Sequence, residues 1–321
     1  MECSQLNDII KSSKNILVIS HINPDGDTLG SICAMFGAIK DNFHKECDLL
    51  CVSKVPKTFE YLANVSRIKT LENIDTSREY DLVINVDVAA IDRIGEAKIL
   101  FDKGKFTVNL DHHKTNRGYA DLNIISPQSS STGEVLCEIF KNCGWKISTE
   151  TATCLYTAIL TDTGSFRFDN TTASALKAAS DMVALGVRPA DIYKKIYESS
   201  TKNHVLFQAY CISKAEFFEN DKIVCTTVYK KDIEKFNAAE DCTEGLTEKL
   251  RAIVTTEVAF IVKELGPTLS KISMRSKNVD VAEICEVFAG GGHKLAAGCV
   301  IKAGVKDAVK KILAEIRKRE I

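Results

Sequence analysis

Three short segments bring aspartate and histidine together at spacings that suit metal-ion chemistry. In HINPDGDTLGS, His21, Asp25 and Asp27 leave one loop just past a hydrophobic run, and Pro24 and Gly26 close that loop. Asp25 and Asp27, two apart in an extended turn, can diverge toward two different ions, with His21 sharing the ion of Asp25. Carboxylate and imidazole ligands without thiolate favour Mn2+ or Mg2+ and also accommodate Zn2+ or Co2+. Helix-capping carboxylates in water would account for either aspartate alone, but they account poorly for the set.

The pattern recurs. INVDVAA ends an apolar run on Asp87, and VNLDHHKTN ends another on Asp111, His112 and His113. A single Asp at a strand end is commonly a turn residue; three such loops change that weighting, because three of the six histidines in the chain fall within them. Adjacent histidines point in different directions, so His112 and His113 take separate roles. His112 is the ligand candidate, and His113 is placed to touch a phosphate or protonate a leaving oxygen. Asp111 is suited to hold an imidazole from behind. Asp162, in AILTDTGSFRF, ends an apolar helical stretch and is the fourth candidate, although helix termination alone would explain it. Together these groups suit a two-metal hydrolase site, in which a carboxylate bridges the ions and a metal-bound hydroxide attacks phosphorus.

Such groups converge only if the elements before them share an edge. Short β-branched runs at 15–20, 47–53, 80–87 and 105–111 alternate with helical stretches, the first from about Thr28 to Ile39. That alternation predicts an α/β fold with a mostly parallel sheet and helices on both faces, and ligands bind beyond the carboxyl ends of such strands. Helical patterns follow, one opening on Thr132 as its cap, the next over 149–164 and a third ending at Gly186. The segment VRPADIYKKIYESS is a connector with a short helix, begun by Pro189. The expected boundaries are 1–186 for a catalytic domain, 187–201 for a linker and 202–321 for a smaller α+β domain. That domain starts with a long helix near 202–218, has strands in KIVCTTVY, VAFIVKEL and LSKISMRS, and has helices around 243–254, 279–288 and 304–319.

Length and composition set the outer limits. A chain of 321 residues is long enough for two cores, and 45% hydrophobic residues can fill them. The 42 basic residues nearly cancel the 43 acidic ones, which argues against a long nucleic-acid track or a membrane surface, so any nucleic-acid partner should be short. The twelve cysteines are scattered without a CxxC pair and are expected to be reduced core residues. No stretch has the pattern of a leader or a bilayer span, which predicts a cytoplasmic protein.

These residues resemble a known family. HINPDGDTLGS, Asp87, the DHH triplet at 111–113 and Asp162 are similar, in order, to the four motifs of DHH phosphoesterases. The segment RSKNVDVAEICEVFAGGGHKLAAG at 275–298 resembles the DHHA1 domain of nanoRNase and pAp phosphatase proteins. The resemblance implies that His21, Asp25 and Asp87 hold one ion, while Asp27, Asp87, His112 and Asp162 hold the other, with Asp87 as the bridge. It also implies that His113 lies beside the scissile phosphate, with Asp111 and Asp87 in the catalytic set. The active site would lie in the cleft between the domains, with manganese as the expected activator, magnesium or cobalt as substitutes, and a homodimer as a plausible assembly.

In the second half, Gly290, Gly291, Gly292 and His293 would make a flexible turn on the bland reading. Backbone free of Cβ atoms can also turn several N–H groups toward one phosphate, with His293 and Arg275 adding charge-assisted hydrogen bonds. The resemblance makes this lobe, including Ser276, the grip on the substrate's far end. The implied activity is hydrolysis of short oligoribonucleotides to mononucleotides and removal of the 3′-phosphate of adenosine 3′,5′-bisphosphate (pAp). The alternative in the same family is a cyclic dinucleotide (c-di-AMP) or linear pNpN phosphodiesterase. A pyrophosphatase comes third, and a nucleotide sensor without catalysis would be expected to lack metal ligands.

Overall fold

The computed structural model describes residues 2–239 and 242–319, which divide into two compact units, Met1–Ser199 and Ser200–Ile321. In the first unit, six strands form one parallel sheet: β1 (Ile16–Ile19), β2 (Asp48–Leu50), β3 (Ile68–Lys69), β4 (Leu82–Val86), β5 (Thr107–Asp111) and β6 (Leu122–Ile125). The helices are α1 (Glu2–Ser12), α2 (Gly26–Phe43), α3 (Lys98–Phe101), α4 (Thr132–Asn142), α5 (Thr149–Asp162), α6 (Ala173–Ala184) and α7 (Pro189–Tyr197).

The strand order is β3-β2-β1-β4-β5-β6, so the chain reverses direction across the sheet between β1 and β4. At such a switch point the loops leaving two neighbouring strands diverge and open a crevice at their carboxyl ends. The central strands β1, β4 and β5 are short, mostly apolar runs buried on both faces, as a parallel sheet requires. Ile16, Val18, Ile84 and Leu110 meet one core with α2, α4 and α5, and Leu17, Ile19, Val83 and Tyr80 meet another.

Close packing of α2 on α5 sets the position of Asp162. A Cβ at Gly30 would come within 2.4 Å of the Cys154 carbonyl, and one at Gly26 within 2.4 Å of Thr161 Oγ1. Only glycine lets the two helices approach this far, and the contact brings the end of α5 beside the start of α2.

Several local expectations shift. The cap of α4 is Ser131, whose hydroxyl accepts from the Glu134 N–H at 3.1 Å, and Thr132 begins the helix. The segment 187–201 carries the expected short helix begun by Pro189, α7, but Ile192 is buried in the core of the first unit, so most of the segment belongs to that unit. Among the described residues, ten cysteines are free thiols, eight of them buried, whereas Cys143 is in a disulfide.

The second unit contains α8 (Lys202–Ser213), β7 (Glu216–Phe218), β8 (Ile223–Val228), α9 (Lys230–Phe236), α10 (Leu246–Arg251), β9 (Val258–Gly266), β10 (Leu269–Ser276), α11 (Val281–Glu286), β11 (Gly291–His293), β12 (Ala296–Ile301) and α12 (Val305–Ile316). The helix expected over 202–218 stops at Ser213, and its last residues belong to β7 instead. The sheet runs β11-β12-β10-β9-β8-β7, parallel only between β8 and β9, over a core of Phe260, Met274, Ile284 and Ile312. The glycine segment forms a hairpin with β12 rather than a free turn.

Candidate metal centre

The crevice at the carboxyl ends of β1, β4 and β5 gathers the groups singled out in the first half. His21, Asp25 and Asp87 present ligand atoms within 4.8 Å of one another; so do Asp27, His112 and Asp162, and so do Asp87, His112 and His113. Asp87 stands in two of the three groups. His112 Nε2 lies 3.7 Å from Asp27 Oδ2, 3.8 Å from Asp87 Oδ1 and 3.7 Å from Asp162 Oδ2. Ligand atoms about 2.1 Å from a common ion are roughly 3 Å apart when adjacent and about 4.2 Å apart when opposite, so these spacings suit a shared cation.

Asp25, Asp27 and Asp87 each accept hydrogen bonds from main-chain N–H groups or hydroxyls. Asp25 is the N-cap of α2, its Oδ1 accepting the Thr28 N–H at 3.0 Å. Asp27 accepts the Thr132 N–H at 2.7 Å on one oxygen and the Gly133 N–H at 2.9 Å on the other, so the N-terminus of α4 receives it. Asp87 accepts Thr132 Oγ1 at 2.9 Å and Thr28 Oγ1 at 2.7 Å. Its backbone is left-handed, with φ of 60°, which is strain for a residue other than glycine and is the kind of strain that collects at functional sites. Asp162 closes α5, and Asn170 Nδ2 donates to its carbonyl at 3.1 Å.

The imidazoles are oriented the same way. His21 Nδ1 lies 2.7 Å from the Ile22 carbonyl, His112 Nδ1 lies 3.4 Å from the Ser129 carbonyl, and His113 Nδ1 lies 2.7 Å from Asp111 Oδ1. A proton on each Nδ1 satisfies these acceptors and leaves each Nε2 for the site. The His112 and His113 rings are 4.5 Å apart and tilted by 58°, so the two neighbours diverge as expected from the sequence.

The electrostatics point to unmet negative charge. Burial, then Asp87, Asp162 and Asp25, push the Asp27 carboxyl well above the usual range. Burial, then Asp87 and Asp25, raise Asp162 to about 7. Burial would also raise Asp87, but His21, His112 and His113 outweigh it and hold Asp87 low. Burial keeps His112 below its ordinary value, the neutral form a metal needs. Burial would lower His113 too, yet the Asp111 contact raises it to about 9.

The Thr28 hydroxyl lies 2.6 Å from His21 Nε2, 3.0 Å from Asp25 Oδ1 and 2.7 Å from Asp87 Oδ2. Its single proton can satisfy only one of these acceptors. A cation would satisfy them together, so the donor set fits a divalent ion.

Sequence reasoning missed Thr28, Thr132 and Asn116. Asn116 Nδ2 donates to Asp111 Oδ2 at 2.6 Å and to the Val88 carbonyl at 3.0 Å. Thr28 and Asn116 lie inside segments already singled out, and an Asn five residues past the strand-end Asp111 was the available signal.

In the second unit, Arg275 Nε donates to Glu248 Oε1 at 2.8 Å, so this guanidinium is partly engaged. Ser276, expected among the substrate contacts, is fully buried and its hydroxyl donates to the Val279 carbonyl. It therefore braces a turn and presents no group to a ligand. Gly290 and Gly292 have steric causes: a Cβ at either would meet β12 within about 2.5 Å, and Gly292 has φ of 151°. Gly291 has open space in front of it, and His293 beside it is exposed.

Two domain families match the chain, the DHH family N-terminal domain over residues 15–159 and the DHHA1 domain over 220–319. The bifunctional oligoribonuclease and PAP phosphatase NrnA of Bacillus subtilis is 27% identical over 306 residues, covering 94% of this chain and 93% of that protein. The probable NrnA of Streptococcus mutans is 28% identical over 291 residues, covering 90% of each. The crystal structure of an exopolyphosphatase-related protein from Bacteroides fragilis superposes with a TM-score of 0.94 at 23% identity, covering 99% of this chain and 96% of that one. At that identity the superposition speaks for the fold.

Proposed function

Because the chain belongs to the DHH family and carries its N-terminal domain followed by a DHHA1 domain, we propose that it is a metal-dependent phosphoesterase. Its substrates are short oligoribonucleotides, cleaved to mononucleotides, and pAp, from which it removes the 3′-phosphate. The observation that carries this reading is the convergence of seven carboxylate and imidazole groups in three overlapping clusters, two of which share Asp87, with each imidazole tied back through Nδ1. The relatives named above, matched over nine-tenths of the chain or more, support the choice of substrate.

His21, Asp25 and Asp87 would hold one divalent ion and Asp27, Asp87, His112 and Asp162 the other. Manganese is the activator we expect, since oxygen and imidazole donors without thiolate suit it. Two such ions supply a nucleophilic water at neutral pH and draw charge from the phosphate oxygens.

The protein's own groups do the rest. His113, protonated at neutral pH against Asp111, offers its Nε2 proton to the leaving oxygen. As the water oxygen bonds to phosphorus, the bond to the leaving oxygen breaks and that oxygen takes the proton; the water's proton restores the imidazole through solvent. Exposed His293 and the unobstructed Gly291 backbone would grip the far phosphate, with Arg275 assisting if it exchanges Glu248 for the ligand.

The test is a side-by-side panel of pAp, pApA, c-di-AMP and pyrophosphate with Mn2+. Highest kcat/KM on pAp and pApA is expected. Preference for c-di-AMP would move the chain to the cyclic dinucleotide alternative, and preference for pyrophosphate would sink the nucleotide assignment.

A further inference from the structure

Asn116 is buried below the DHH triplet, and its amide is fully used. Oδ1 accepts the Gly118 N–H at 2.9 Å, while Nδ2 donates to Asp111 Oδ2 and to the Val88 carbonyl. A turn-forming Asn would account for the Oδ1 contact, which is the usual local bond of such residues. It would not account for Nδ2, which reaches across to a carboxylate at 2.6 Å and to the loop beyond β4.

The carboxylate that receives this bond has a divided task. Asp111 Oδ2 faces Asn116, and its Oδ1 faces His113 Nδ1 at 2.7 Å. A carboxylate's terminal torsion is broad and roughly two-fold, so one bond to an imidazole does not fix its plane. The second bond does, provided the amide that gives it is itself fixed. The Val88 carbonyl supplies that anchor, and Tyr119 OH, also on Val88 at 3.0 Å, braces the same carbonyl.

We propose that Asn116 is a positioning residue for phosphate-ester cleavage: it locks the plane of Asp111, and through it the direction in which His113 presents Nε2 to the leaving oxygen. This rests on the reading that His113 donates a proton to that oxygen. Misdirected, the imidazole would still stand beside the phosphate but off the line of proton transfer, where small displacements are costly. Leaving groups that need a proton should then suffer, and leaving groups that need none should not.

The experiment uses the full chain with Mn2+ and two phosphodiesters. One is pApA, whose leaving group is a ribose hydroxyl. The other is the p-nitrophenyl ester of thymidine 5′-phosphate, whose phenolate departs unprotonated. Asn116→Ala is expected to lower kcat on pApA by about 30-fold or more, within the range general acids contribute. On the nitrophenyl ester it is expected to fall by less than about threefold, with KM for both nearly unchanged. Asn116→Ser, which keeps a polar group in the same space, is run beside it, so that the ratio of the two esters decides even if the alanine variant unfolds. Equal losses on both esters would reduce Asn116 to a structural residue, and no loss on either would remove the role entirely. If the unmodified protein cleaves neither ester, the phosphoesterase reading falls first, which is a separate outcome.

Discussion

Asp27 accepts the backbone N–H of Thr132 at 2.7 Å, a bond that ties the first turn of α2 to the first turn of α4. The carboxylate thereby sits on a helix N-terminus, which favours its charge, while burial and three neighbouring aspartates disfavour it. The geometry is held for a ligand at the expense of the unliganded fold.

That tension predicts the behaviour of Asp27→Asn. The amide removes the charge and keeps one acceptor for the two N–H groups. Thermal melts in chelator should show a melting temperature equal to or above that of the parent, while hydrolysis with Mn2+ drops by more than about 100-fold, beyond the loss typical of groups that only orient ligands. A destabilised variant that stays active would contradict the assignment.

Asp162 gives the pH dependence. Its folded-state pKa, raised to about 7 by burial, Asp87 and Asp25, lies above the unfolded value near 4. For a carboxyl raised on folding, ionisation favours the unfolded chain. The cost is therefore absent below about pH 4, grows as pH rises and is complete above about 7. Metal-free protein should gain stability from Asp162→Asn at pH 8 and none at pH 4. Added Mn2+ should protect the parent protein far more at pH 8 than at pH 5, where protons compete for the ligands. Equal protection at both values would argue against a carboxylate site.

His293→Ala probes the second unit. With the exposed imidazole removed, KM for pAp and pApA should rise about tenfold, while a small generic phosphodiester that never reaches it is cleaved as before. Equal losses on both kinds of substrate would point to damage elsewhere.

Much of this was legible because the decisive residues follow short apolar strands. NILVIS, YDLVINVD and KFTVNLD are strands in the structure, and a parallel sheet delivers His21, Asp87 and Asp111 to one edge whatever the details. The partners across that edge were not legible. Thr28, Thr132 and Asn116 meet their carboxylates through register and helix packing, which local pattern does not encode. The weak strands were missed for a related reason: β6 and β11 form because a neighbour offers backbone partners, and Gly291–His293 has no intrinsic strand preference. Ser276 follows Arg275 directly, but strand alternation turns the two side chains to opposite faces of β10 and buries Ser276.

The most direct measurement is hydrolysis of pAp and pApA by Asp87→Ala in Mn2+, with the parent protein alongside. Asp87 stands in both the His21–Asp25 group and the His112–His113 group, so a shared centre predicts that both activities fall together to background. Retention of either activity in a folded variant would contradict it.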